Sequence, residues 1–179
     1  MTSGNISTKD ICLTGIFTAM MVVMAQISIP MPLGVPMTMQ TFAVSFAGVM
    51  LGAKRGFMAA ALYALLGAAG LPVFANFSGG LGIVMGPTGG FIMSFPIMAA
   101  LIGLGSEKGS RSLAIGLTVG TIVNFAAGMA MFSAVTGKGF GVAFSACVLP
   151  FIPTAVIKAA AAGALGFKIR KAEFRLRYR

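Results

Sequence analysis

Histidine and tryptophan are absent from the chain, and its only acids are Asp10, Glu107 and Glu173. Each gap excludes a chemistry. Zinc and iron sites draw on histidine, cysteine and carboxylate ligands, and Cys12 and Cys147 cannot build one between them. No acid lies within an apolar run, so there is no carboxylate pair for acid–base work. For the same reason no Asp/Glu/His relay can carry a proton across a membrane. No G-x-x-x-x-G-K-[ST] phosphate loop occurs. The residues describe a binder rather than an enzyme, with no metal and no cofactor, and any transport it serves must draw energy from elsewhere.

Charge is the next shortage. Only 9% of the 179 residues are charged and 58% are hydrophobic, whereas a water-soluble domain carries about 25% charged residues. The composition predicts an all-α polytopic membrane protein with residues 1–179 forming a single transmembrane domain. The first apolar run, 11–29, is long enough to span and has no A-x-A-like cleavage site after it, so no cleavable signal is expected.

What is present is punctuated by proline and glycine. A first helix is expected over 9–29, capped by Ser7 or Thr8 with Asp10 in its first turn. Pro30, Pro32 and Pro36 then exclude regular helix up to Gln40. A helix over 41–51 is too short to cross ~30 Å alone, so the loop before it has to dip inward. Lys54 and Arg55 close it, and a helix over 56–69 follows. The stretch 74–90, FANFSGGLGIVMGPTGG, is uncharged and rich in glycine, and it lies between apolar runs. Irregular backbone at membrane depth survives where protein buries it or where it lines a cavity, so this stretch is expected to wall a pocket. Helix resumes near 82 or 88 and runs to 104, with Pro87 and Pro96 as candidate breaks. A polar loop over 105–112, a helix over 113–135 and a turn at 137–139 come next. The last helix begins within 144–149 or restarts at 150–153, ends near 167 and leads into a basic tail.

Six transmembrane helices put both termini on one side. Lys9, Lys54, Arg55, Lys108, Arg111 and the tail fall on that side, which the positive-inside rule makes cytoplasmic in the cell membrane. The formal charge of +10 thus reads as topology and as contact between the basic tail and anionic lipid, not as nucleic-acid binding. The re-entrant external segments 30–40, 71–81 and 150–153 would converge on a site open to the outside.

Lys158 is the outlier in that scheme, a charge inside an apolar helix near its N-terminus, where the dipole disfavours a cation. It either meets a ligand or snorkels to the outer interface. Asn76 either offers its amide to a ligand or closes a turn on its own backbone. Thr38, Gln40 and Thr41 form a polar cluster in which capping of the next helix is the alternative. Tyr63 can turn its hydroxyl to the pocket or to the interface. Gly86, Thr88 and Gly89 in GPTGG complete the candidate wall. In the first helix Gly15 and Ala19 stand four apart, a spacing that lets another helix approach, either within the bundle or on a partner. Cys12 and Cys147 are expected near opposite membrane faces and unpaired.

The stretches VPMTMQT (35–41), LYALLGAAGLPVFA (62–75), GGLGIVMGPTGGF (79–91) and PFIPTAVIK (150–158) resemble, in order and over nearly the whole chain, the BioY family. These are the biotin-specific S components of energy-coupling factor (ECF) transporters. The resemblance implies a six-helix subunit that captures biotin from outside and works with a transmembrane coupling protein and two cytoplasmic ATPases. It also implies a ligand site built from loops 1 and 3 and helices 4 to 6, and it favours the partner role for Gly15 and Ala19. Where the family reads approximately P-G-D-x-x-K, this chain keeps Pro153 and Lys158 but has Thr154 and Ala155 in place of Gly-Asp. An S component for another small vitamin and a ligand-free membrane scaffold are the alternatives.

Overall fold

The computed structural model describes residues 7–31 and 34–177, with side chains up to residue 169. Pro32 and the basic side chains of the tail from Arg170 onward lie outside the described residues.

Helix α1 (Thr8–Ala25) opens with a reciprocal cap. The Ser7 hydroxyl accepts from the Lys9 amide, and the Asp10 carboxylate accepts from the Ser7 amide at 3.2 Å. The helix stops four residues short of the expected end at Ile29, because Ser28–Ile29 (β1) pairs antiparallel with Met37–Thr38 (β2), Ser28 opposite Thr38. The proline loop is thereby pinned as a small hairpin.

Helix α2 (Gln40–Ala68) is continuous in sequence but not straight. Gly52 has φ 78° and ψ −176°, a left-handed conformation open to glycine at little cost. The chain reverses there into two arms, 40–51 and 53–68. The proof is a hydrogen bond of 2.5 Å between the side chains of Gln40 and Tyr63, residues that a straight helix would hold roughly 35 Å apart at 1.5 Å per residue. At the crossing, a Cβ on Gly56 would stand 3.1 Å from the Cα of Gly48, so the arms meet backbone to backbone. These arms are the helices expected over 41–51 and 56–69. The turn is held by charge: the Ala53 amide donates to the Glu107 carboxylate at 2.9 Å, and Arg55 pairs with Asp10 at 2.6 Å.

After α2, residues 74–78 close a tight loop in which Phe74 bridges to Ser78 around a 3-10 turn at Ala75–Phe77. Then come α3 (Leu81–Val84) and α4 (Gly89–Lys108). Pro96 is buried inside α4 and does not end it; the break falls before α4, at 85–88. Helix α5 (Ser110–Thr136) ends on Gly137, whose positive φ of 68° and amide bond to the Ser133 carbonyl close the last turn. The two starting points expected for the last helix mark two separate pieces. Helix α6 (Phe140–Cys147) ends, a 3-10 turn at Leu149–Phe151 carries Pro150, and α7 (Ile152–Arg177) begins.

The core lies between α1, both arms of α2, and α4, where Met21, Val44, Tyr63, Phe95, Met98 and Ile102 are buried. Besides the Arg55–Asp10 pair, the Thr18 hydroxyl ties α1 to α2 by donating to the Ala59 carbonyl at 3.0 Å. Large apolar side chains such as Ile16, Leu65, Met93, Ile122 and Val156 point outward. Among the described residues, five segments are long and apolar enough to cross a membrane: Thr8–Ala25, Gln40–Ala68, Gly89–Lys108, Ser110–Thr136 and Phe140–Ile169. Length counts α2 once although it folds in two. An apolar exterior over segments of this length is what lipid requires and water penalises. The chain is an all-α membrane protein.

Candidate binding site

At the end of the bundle opposite the Gly52 turn, the β1–β2 loop, residues 74–78 and the α6–α7 junction enclose a cavity of about 330 Å³, within the size range of small-molecule sites. Phe74, Phe91, Phe95, Met98 and Phe151 supply apolar wall. Thr38, Gln40, Thr41, Asn76, Thr88, Asn124, Thr154 and Lys158 supply polar groups, and none of the lining residues is acidic.

The expected outlier sits on this wall with a partner. The Lys158 ammonium donates to the Thr38 carbonyl at 2.6 Å, so it is turned inward rather than snorkelling. Thr38 passes the order on. Its hydroxyl donates to Gln40 Oε1 at 2.8 Å, Gln40 Nε2 donates to the Tyr63 hydroxyl, and that hydroxyl donates to the Val73 carbonyl at 3.1 Å. Tyr63 is fully buried and lies outside the lining. Neither of the expected placements of its hydroxyl holds, because the ring packs against Phe74 and Phe95 in the core. Its role is to orient Gln40 from behind.

Asn76 lines the cavity in a left-handed conformation, φ 57° and ψ 37°, which asparagine tolerates better than most residues. Among the described residues its side chain makes no bond to its own backbone. Thr88 lines the cavity without capping α4. Gly86 and Gly89 do not line it. A Cβ on Gly89 would overlap the Val84 carbonyl, and a Cβ on Gly86 would stand 2.8 Å from the Gly82 carbonyl. Their lack of side chains serves the turn between α3 and α4.

Two residues on which the site depends were not singled out in the sequence. Gln26, just past α1, straps down the loop that carries Asn76. Its Nε2 donates to the Val22 and Phe74 carbonyls, each at 3.1 Å, and its Oε1 accepts from the Phe77 amide at 2.9 Å. Asn124, in α5, lines the cavity while 1% exposed. Each is a lone amide in or beside an apolar run, the same kind of signal that exposed Lys158, but without a formal charge.

Away from the cavity, Gly15 and Ala19 lie on the exposed side of α1, beside the buried Thr14 and Thr18. Nothing stands within 4 Å of a Cβ built on Gly15, so the small residues are not used for packing inside the bundle. Cys12 and Cys147 are free thiols, the first exposed and the second buried.

A helical membrane protein whose irregular loops close over an acid-free, mainly apolar cavity at one end belongs to the class of membrane-embedded solute-binding subunits. The comparisons place it more narrowly. Residues 1–175 match the BioY family, and the chain belongs to that family. It is 42% identical over 154 residues to a probable biotin transporter BioY of Pyrococcus horikoshii, covering 86% of this chain and 91% of the relative. It is 38% identical over 174 residues to the biotin transporter BioY of Rhizobium etli, covering 89% and 92%. The crystal structure of an S-component for biotin from an ECF-type ABC transporter superposes with a TM-score of 0.83 at 26% identity, over 96% of this chain and 95% of that one. The fold is that of the S components.

The strap makes a direct prediction. Gln26→Leu keeps the bulk and removes every bond to the 73–77 segment, so the Phe77 amide should exchange with deuterium at least tenfold faster. Unchanged exchange there would mean that the loop holds itself.

Proposed function

We propose that the chain is the high-affinity biotin-binding S component of an ECF-type vitamin uptake transporter and is not itself an enzyme. The observation that carries this reading is the Lys158 ammonium, held on a backbone carbonyl inside a cavity that lacks any acid. The relatives described as biotin transporters point the same way. Biotin has an apolar body with a carboxylate at one end and a ureido ring at the other. Its carboxylate or ureido carbonyl gives the ammonium a charge-assisted bond in a low-dielectric setting, roughly twice as strong as a neutral one. Asn76, Thr38, Gln40 and Thr88 supply further polar contacts, and the phenylalanines cover the rest. A built cavity with a charged anchor counts against a ligand-free scaffold. Ala155, on the cavity wall, leaves recognition to neutral groups and to Lys158.

Removing the charge while keeping the stem tests the anchor. Lys158→Met should fold and bind biotin at least tenfold more weakly, about 1.4 kcal/mol, by titration of the detergent-purified protein. Parental affinity in that variant moves the anchor to Thr38 or Gln40. Weak biotin binding by the parent, with tight binding of another vitamin, replaces the ligand.

The partners implied by this function are a transmembrane coupling protein and two cytoplasmic ATPases, with the exposed Gly15–Ala19 face of α1 docking on the coupling protein. Gly15→Leu should reduce copurification with that subunit and spare biotin affinity; equal loss of both would assign the residue to folding. The termini face the cytoplasm and the basic tail meets anionic lipid, because Asp10, Arg55 and Glu107 share their end of the bundle with Lys9, Lys54, Lys108 and Arg111. An alkaline phosphatase fused to the C-terminus should be inactive; activity outside the cell reverses the topology.

A further inference from the structure

We propose that Asn124 is a specificity-determining residue of the cavity: its side-chain oxygen is a reserved acceptor for an N–H group of the ligand. The proposal rests on the biotin reading above and adds the group that selects the donor side of a urea-like ring. Asn124 is 1% exposed and lines the cavity from α5. Its orientation is fixed by its neighbours. The Ser94 hydroxyl donates to the Phe91 carbonyl at 3.0 Å, so the Ser94 oxygen is left to accept. Asn124 Nδ2 donates to that oxygen at 2.8 Å and to the Phe91 carbonyl at 3.0 Å, which uses both of its protons. Flipping the amide would set Oδ1 against the Phe91 carbonyl, two acceptors with no proton between them. The oxygen is therefore committed to the other side, and there it is buried with no partner among the described residues.

A buried acceptor without a donor carries its full desolvation penalty until something donates to it. Of the other amides on this wall, Gln40 Oε1 already accepts from Thr38, and Asn76 is exposed and no neighbour fixes which end of its amide faces inward. Lys158, on α7, is a donor. The cavity wall thus carries a donor on α7 and, in its buried layer, an acceptor on α5, two helices that pack against each other. A solute that carries a carbonyl and an N–H in one ring satisfies both. One that places a carbonyl or a carboxylate against Asn124 leaves two acceptors facing each other and is rejected.

The test uses the full chain in detergent and three ligands: biotin, and the two cyclic carbamates in which one or the other ring N–H is replaced by oxygen at nearly constant size. The parent should bind one carbamate at least tenfold more weakly than biotin. Asn124→Leu should bind biotin at least tenfold more weakly and should no longer distinguish that carbamate from biotin, because the two changes remove the same bond. Losses that simply multiply overturn the assignment, as does a parent that binds all three ligands alike. If Asn124→Leu does not fold, the smaller Asn124→Ser replaces it in the same comparison, and equal binding of biotin and both carbamates by the parent still decides against the proposal. A parent that binds no biotin at all overturns the biotin reading and this assignment with it, whereas biotin binding without carbamate discrimination overturns this assignment alone.

Discussion

One charged hydrogen bond organises the ligand end of this protein, that from the Lys158 ammonium to the Thr38 carbonyl. An ammonium in an apolar helix is costly unless it finds oxygen, and the oxygen it finds belongs to the short β2 strand. That contact fixes α7 against the proline loop. The same threonine then orders Gln40 and, through Tyr63, the Val73 carbonyl. Gln26 closes the circuit from α1 by binding the adjacent Phe74 carbonyl and the Phe77 amide. Irregular segments that would be loose in water are held here because each of these polar groups must be satisfied away from it.

The opposite end obeys the same constraint with full charges. Gly52 lets the chain reverse, Glu107 takes up the Ala53 amide released by that reversal, and Arg55 pairs with Asp10 beside it. The acids of the described chain are both spent on this turn, so the cavity contains none. Scarcity of carboxylates is thus a structural matter as well as a chemical one.

Much of this was legible in the sequence, because the membrane leaves few choices. Prolines at 30 and 36 marked the loop, Lys54 and Arg55 marked the reversal, and Pro150 with Pro153 marked the junction before the last helix. Lys158 stood out because a charge in an apolar run demands an explanation. Tyr63 was drawn toward the pocket by its position, but a ring buried between Phe74 and Phe95 reaches only Gln40 and Val73. Gly86 and Gly89 read as a ligand cradle, although their crowding comes from the turn itself. The end of α1 was overestimated because nothing local in residues 26–29 announces strand pairing with Met37–Thr38. Gln26 and Asn124 escaped notice because an amide among apolar residues is ordinary until its partners, 48 and 33 residues away, are known.

The bond between Lys158 and Thr38 joins residues separated by 120 positions, so this end of the molecule is built from both halves of the chain. The hairpin of α2 and its packing on α1 and α4 can form from the first part of the chain. The cavity cannot, because the wall bearing the ammonium is synthesised late and closing so long a loop costs entropy before any contact returns it. The cavity therefore needs the final helix, and a chain lacking it would keep the residues of most of the core but not the wall that bears the ammonium.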